Sequence, residues 1–445
     1  MIVISDHMDE DVDFYVPPGA DATEAFREAY ELSKIYGVVH IVVRGRLYIY
    51  AREGLVPLYL SQSLHHIIEG DGLGEIVYVN PNGVKDVKPV IAAGAEATVE
   101  MNFVNSQILG YSTWGWVFAM KNLRIFNLTS QRWFMITGFP YHMHSTMFYF
   151  DSVEFFAGAW LNQTAMVLLY NCYVNNAEIL FDTQSRELIA MGCRFERNAV
   201  LAMSPRGWTV IGCVFIGTNV TALNPGTDGN DGTVVGCVFD GTTIVTQGAT
   251  RLRIVASTFQ NFTFPGEGSI ILTLATDYVI VGCNFYNYNV TMRELKLKDR
   301  VTVAFNTFVS SDLVILVGDG HLINVVSIIG NLFNDSLVFI SGSGKELTGK
   351  INAVYISFNT FITSSARDWE LENGYVIEGS APINVAITVD YVFVVMNNFS
   401  SKASFSLQQL NGNVRTANGL FFYYNVNLGE ILVPPSQTVV SEANF

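Results

Sequence analysis

Two or three apolar residues at alternate positions, then a small residue, then one position and an aromatic: this unit returns along most of the chain. Ile211-Gly212-Cys213-Val214-Phe215, Val235-Gly236-Cys237-Val238-Phe239 and Val281-Gly282-Cys283-Asn284-Phe285 show it most clearly. It recurs at Cys172, Cys193-Arg194-Phe195, Ser257-Thr258-Phe259, Asn306-Thr307-Phe308, Asn331-Leu332-Phe333, Asn359-Thr360-Phe361 and Asn397-Asn398-Phe399, with Asn122, Ser152 and Asn425 as looser members. From Cys172 the successive offsets are 21, 20, 24, 20, 26, 23, 25, 28 and 38 residues. Period-2 alternation marks strands, and no amphipathic helix lies between them. A repeat of this length built from short strands predicts the coils of a parallel β-helix. The Leu-x-x-Leu-x-Leu pattern of a leucine-rich repeat is absent.

Coils of such a solenoid stack about 4.8 Å apart. An inward residue at a bend therefore rests on its equivalent in the next coil, where small side chains that bond to copies of themselves fit and Lys or Glu does not. Asn amides form ladders of this kind, and the aromatic two residues on should form an inward stack. All five cysteines, Cys172, Cys193, Cys213, Cys237 and Cys283, occupy the ladder position. They read as buried, hydrophobe-like thiols. Neither a disulfide framework nor a zinc site fits their odd number and coil-length spacing.

Near the start, Pro17-Pro18-Gly19 forms a turn, and Asp21 with Glu24 has the spacing of a capping box. A helix is expected over 21–36, stopping at Gly37, with an apolar stripe of Ala22, Ala25, Phe26, Ala29 and Leu32. Strands are expected at 38–43, 47–50, 56–60 and 67–72.

Gly19-Ala20-Asp21-Ala22-Thr23-Glu24-Ala25-Phe26, Arg46-Leu47-Tyr48-Ile49 and Ile68-Glu69-Gly70-Asp71-Gly72 together resemble the first segment of the pectate-lyase-like right-handed parallel β-helix superfamily. That superfamily holds polysaccharide lyases, glycoside hydrolases and phage tailspikes. The resemblance, over about residues 15–430, implies an all-β, right-handed parallel β-helix solenoid with an N-terminal capping α-helix. It also suggests, by analogy with tailspikes, a homotrimer. The Asn-Thr-Asp, Asp-Asp, Gly-His-Gly and Arg-x-Lys elements of the superfamily's pectin hydrolases are absent. No row of clustered acids with a basic partner is evident in the coil strands.

Sugar chemistry still has candidate places. Hydrolysis needs two carboxylates about 5–9.5 Å apart, and Asp151 with Glu154, or Asp368 with Glu370 in the 38-residue offset after Asn359, are the available pairs. Trp114, Trp116, Trp133, Trp160 and Tyr141 concentrate near the first pair and suggest a carbohydrate platform, with an aromatic packing patch or subunit interface as the plainer reading. His142 and His144 share a strand face but lack a third ligand. Asp228 and Asp231 lie in a turn-rich loop that could touch calcium, without the spacing of a dedicated site. The charge run 293–300 reads as a solvated edge. Seven Asn-x-Ser/Thr sequons follow from Asn- and Thr-rich turns without implying glycosylation.

Composition narrows the function classes. Only 15% of the 445 residues are charged and the net charge is −15, the wrong sign for nucleic-acid phosphates. Hydrophobic residues make up 50%, yet stretches such as 313–329 are broken by Asp319, His321 and Asn324, so no membrane insertion is expected. The first residues carry five acids and no Lys or Arg through Asp13, unlike a secretory signal. The low charge, and a stability resting on apolar and Asn ladders, suggest a harsh extracellular medium, hot and acidic.

Three segments are expected: an acidic tail at 1–16, the β-helix at 17–400, and a cap or assembly segment at 401–445. The leading reading is a surface or virion spike or fibre, an adhesin binding a host glycan or cell-surface receptor beside other structural proteins of its particle, without catalysis and with no cofactor. The alternatives are a polysaccharide lyase or glycoside hydrolase of the same fold, or a purely architectural capsid or surface-layer component.

Overall fold

The computed structural model describes residues 1–442 except 55, 61–64, 89, 94–116, 131, 138–146, 162–165, 182–186, 204–205, 224–229, 248, 263–268, 274–276, 296–298, 343–348, 363–368, 371–375, 378–381, 401–402, 408–418, 429 and 434–438. The chain divides into two units, Met1–Thr221 and Ala222–Phe445. Each is a stack of right-handed parallel β-helix coils.

In the first unit one face stacks Met147–Asp151, Met166–Tyr170, Glu187–Met191 and Gly207–Ile211 in parallel. After a corner come the short strands Glu154–Phe156, Tyr173–Asn175, Arg194–Glu196 and Val214–Ile216. A third face stacks Trp133–Thr137, Gly158–Leu161, Glu178–Phe181 and Val200–Met203. The second unit repeats the plan, from Asn230–Val235 on the first face to Val439–Glu442. Alternate burial, such as the buried Leu188 and Ala190 between outward neighbours, follows from the two-residue pleat.

The corner explains the sequence unit. The residue before each ladder position is left-handed: Gly192, Gly212, Gly236 and Gly282 have φ between 59° and 66°. At that corner the ladder residue's N–H points along the axis and needs an acceptor from the next coil. Cys193 N–H donates to Cys213 Sγ at 3.3 Å, Cys237 N–H to Ser257 Oγ at 3.1 Å and Cys283 N–H to Asn306 Oδ1 at 2.8 Å. The requirement is for a short side chain carrying an acceptor. Asn425 is a full member, since it accepts from Asn397 N–H at 2.9 Å. Asn122 and Ser152 are not. They are the left-handed corner residues, and the ladder position beside them holds Leu123 and Val153.

The aromatic stack runs as expected. Phe239, Phe259, Phe285, Phe308, Phe333, Phe361 and Phe399 lie with ring centroids 4.7–5.1 Å apart, all at most 1% exposed.

The α-helix α1, Thr23–Lys34, packs against Ile2–Ser5, Val38–Arg44 and Arg46–Tyr50. Its buried stripe is Ala22, Phe26, Ala29 and Ser33, while Leu32 is 47% exposed. Ala22, Phe26 and Ala29 of the expected stripe are buried, and at its C-terminal end Ser33 takes the inward place expected of Leu32. The capping box is also replaced. Asp21 Oδ1 accepts from the Thr23 and Tyr50 N–H groups at 3.0 and 3.1 Å, and Glu24 binds Arg52 at 2.6 Å. Both acids thus tie the helix start to the neighbouring coil.

The first sixteen residues are not a free tail. Ile2–Ser5 pairs in parallel with Val38–Arg44, and Phe14–Tyr15 pairs with Ile2–Ser5. Burying Val3 and Ile4 supplies the reason, and the acids between them gather on Arg44, with Asp11 at 2.8 Å. Beyond residue 400 the coils continue. Ala403–Leu407 joins Ile383–Ala386, and Gly419–Tyr423 joins Thr388–Val395.

Candidate functional site

Of the expected platform, Trp114, Trp116 and Tyr141 lie outside the described residues, as do His142 and His144. Trp133 and Trp160 come together on the third face, ring centroids 6.0 Å apart and tilted by 42°. Trp133 is only 8% exposed. The Arg132 guanidinium lies 4.6 Å from its ring centroid, and the ring rests over Gly158, where a Cβ would come within 3.0 Å of Trp133. Arg132 is held in turn by Glu178. Trp133 is thus a packed ring under a cation rather than an open platform. Trp160 keeps a half-buried edge.

The carboxylate candidates are engaged. Asp151 accepts from Tyr149 Oη at 3.0 Å and Ser152 Oγ at 2.9 Å. Glu154, past the corner, binds Arg124 Nε at 2.7 Å, and Arg124 also meets Glu75 at 3.5 Å. Arg46 closes this row from the far side of Glu75. Glu370 lies in a small antiparallel pair, Trp369–Glu370 with Val376–Ile377, apart from the parallel faces. Asp368 and Asp228 fall outside the described residues. Asp231 Oδ1 receives Arg251 Nε at 2.9 Å, and its second oxygen receives Arg251 Nη2. That bidentate pairing occupies the carboxylate proposed for calcium. The charge run 293–300 is split between two strands, Val290–Leu295 and Asp299–Ala304.

Asp231 leads to a feature the sequence reading overlooked. On the first face of the second unit, Asp231, Arg251, Asp277 and Arg300 occupy one register row. Arg300 Nε lies 3.5 Å from Asp277 Oδ1. The row beside it holds Arg253, Val279 and Thr302. Arg251, Asp277 and Arg300 of the first row, with Arg253, Val279 and Thr302 of the second, line an open hollow of about 200 Å³ on the outer face. Arg253 is exposed and has no hydrogen-bond or ion-pair partner among the described residues. The hollow therefore presents guanidinium groups outward in a chain of net charge −15. Planar N–H forks suit carboxylate or sulfate oxygens and vicinal hydroxyls.

A signal for this row existed. Asp231, Arg251, Asp277 and Arg300 each lie six residues before Cys237, Ser257, Cys283 and Asn306. Placing every charged residue in repeat phase would have exposed it; searching for local motifs could not, because the row is spread over about seventy residues.

No family model matches the chain, and no curated protein matches it. Among solved structures it is similar to the A-module of the mannuronan C-5 epimerase AlgE4 of Azotobacter vinelandii, at 10% identity over 89% of this chain and 96% of that one, with a TM-score of 0.39. It is also similar to tailspike protein 3 of bacteriophage CBA120, at 11% identity over 96% and 59% of the two chains, TM-score 0.34. A third is PfbA, a surface adhesin of Streptococcus pneumoniae, at 10% identity over 96% and 89%, TM-score 0.31. The architecture is that of a parallel β-helix, and it rests on the strand pairing of this chain itself. No described helix is long and apolar enough to cross a membrane.

Proposed function

We propose that this chain is a β-helical spike or fibre at an extracellular or virion surface, an adhesin that holds a host glycan or surface receptor and leaves it chemically unchanged. The observation that carries the reading is Arg253, which has no partner among the described residues and is flanked by Arg251 and Arg300 in an open hollow on a stack of strands. Guanidinium groups fixed on such a scaffold bind without reorganising, and the chemistry favoured is an acidic saccharide whose carboxylate or sulfate meets Arg253. The engagement of Asp231 by Arg251 and of Glu154 by Arg124 supports holding over cleavage, since hydrolysis asks one carboxyl to keep a proton and the other to act as base or nucleophile. Other structural proteins of a particle are the proposed anchoring partners.

A glycan array probed with the purified chain, read also for reducing ends or unsaturated products, tests this. Binding of acidic glycans without product is expected. Product formation favours the lyase or hydrolase alternative and overturns the adhesin reading.

A further inference from the structure

Arg253 begins an outward register row that runs on through Val279, Thr302, Ser327, Tyr355, Phe393 and Phe421. Its members change character along the axis. Arg253 is an exposed cation, Val279, Thr302 and Ser327 are short and half-buried, and Tyr355, 40% exposed, starts a column of rings. Tyr355, Phe393 and Phe421 stack with centroids 4.9 Å apart and planes within 10°. Phe393 therefore covers one face of Tyr355. On the other side the row continues with the short Ser327, and no second ring lies against Tyr355 among the described residues. The hydroxyls of Thr302, Ser327 and Tyr355 have no hydrogen-bond partner among those residues. The result is a floor of free hydroxyls with a cation at one end and an open aromatic face at the other, four coil rises or about 19 Å apart.

We propose that this row holds a mostly neutral glycan whose isolated acidic unit sits at Arg253 and whose distal sugar stacks on the open face of Tyr355. The inference rests on the reading of Arg253 as a glycan contact and adds the composition of that glycan. Hydroxyls that donate and accept match the polar edge of a sugar, and the negative face of an aromatic ring attracts its C–H side. Cations stop at the hollow. The row that carries Arg251, Asp277 and Arg300 continues as Val325, Ala353 and Tyr391. Lys350 and Asp390, on the strands of Tyr355 and Phe393, pair with each other at 2.8 Å. A glycan with an acid on every unit would bring its further charges against a chain of net charge −15 with no free cation in either row to receive them. A peptide strand does not fit, because the strands carrying Thr302, Ser327 and Tyr355 are paired on both sides and offer no edge.

Titrations of the full chain with two size series test this. One series is sialylated oligosaccharides, a single acid on a neutral chain of two or four sugars; the other is oligogalacturonates of matched length, with an acid on every unit. The longer sialylated glycan is expected to bind wild type about fivefold more tightly than the shorter one. Lengthening the oligogalacturonate should bring no gain. Tyr355→Ala should remove the gain of the sialylated series and leave the shorter glycan's affinity unchanged, whereas Tyr355→Phe, which keeps the ring face, should retain it. The gain should persist in high salt, which weakens the contribution of Arg253. Equal affinity for both sialylated lengths, an undiminished gain in Tyr355→Ala, or a larger gain along the oligogalacturonates overturns the inference. In each of those cases a loss in Arg253→Ala would still leave the hollow as the site of the acid. No binding by wild type, or affinity unchanged in Arg253→Ala, overturns the glycan reading itself and this inference with it.

Discussion

The backbone N–H of Asn306 donates to Asn331 Oδ1, one coil on, at 2.9 Å, and the Asn306 side-chain Nδ2 reaches the same oxygen at 3.0 Å. Asn331 repeats the arrangement toward Asn359, Asn359 toward Asn397, and Asn397 toward Asn425. Each Nδ2 also donates to a main-chain carbonyl of the preceding coil, as Asn331 does to Val303 O at 2.9 Å. One amide thus satisfies polar groups of three coils, all out of reach of water.

Replacing Asn331 by Ala removes one of the donors to Val303 O and the acceptor of Asn306 N–H, leaving that N–H buried and unsatisfied. A loss of about 2–4 kcal/mol in denaturant unfolding is expected. Asn331→Cys should lose less, because Cys213 fills the equivalent place and still accepts a backbone N–H. Equal losses for the two variants would mean that the ladder hydrogen bonds add nothing to packing.

At the corners the sign of a glycine exchange should reverse along the chain. Phe358 is left-handed and 59% exposed, a conformation that costs about 1–2 kcal/mol for a residue with a Cβ. Phe358→Gly should leave stability unchanged or raise it by up to about 1 kcal/mol, part of the gain being offset by the freedom of glycine in the unfolded chain. Gly330→Ala should be destabilising, since its Cβ would meet the Phe305 ring at 2.7 Å. Urea unfolding of the two variants checks the pair.

Thiol chemistry follows from burial. Burial pushes the Cys283 thiol up to about 11, and a side-chain hydrogen bond from the Cys193 thiol to Cys172, with burial, raises Cys193. Since the thiolate is the reactive form, a colorimetric disulfide reagent at neutral pH should find no reactive thiol in the native chain and five after denaturation. A fast-reacting thiol in the native state would contradict the buried ladder.

Acid should act first on the first coil. Burial pushes the Asp21 carboxyl up, but hydrogen bonds from Thr23, Arg52 and Tyr50 outweigh it and hold the group below its ordinary 3.8. Its contribution is complete above that ordinary value and vanishes as pH falls through the lower folded one. The Asn ladder has no such dependence. Amide hydrogen exchange between pH 5 and 3, corrected for intrinsic rates, should show coils from Asn306 to Asn425 unchanged. Below about pH 4, protection around Tyr50 should fall in wild type, and Asp21→Asn should remove that step. Global unfolding between pH 5 and 3 would contradict the ladder account.

The coils were legible because each sequence unit maps onto one corner and two strands, and the ladder and Phe positions follow from a local pattern. The corner itself was hidden at Asn122 and Ser152, where the expected ladder residue proved to be the left-handed one before it. Residues 1–16 were misread because their acids look like a tail, whereas Arg44, about thirty-five positions away, gathers them. The arginine hollow stayed out of view for the same reason: its members are neighbours only across coils. Residues from different rungs meet through the register, which offset arithmetic reveals and local motifs do not.

The most direct test of the account is the affinity of an acidic oligosaccharide selected on the array for wild type, Arg253→Ala and Trp114→Ala. A loss of at least about tenfold on removing Arg253 is predicted, in line with a charged hydrogen bond of 1.5–3 kcal/mol, and it should shrink as salt rises. Full affinity in Arg253→Ala with loss in Trp114→Ala would contradict the account and place the glycan on the tryptophan-rich stretch instead.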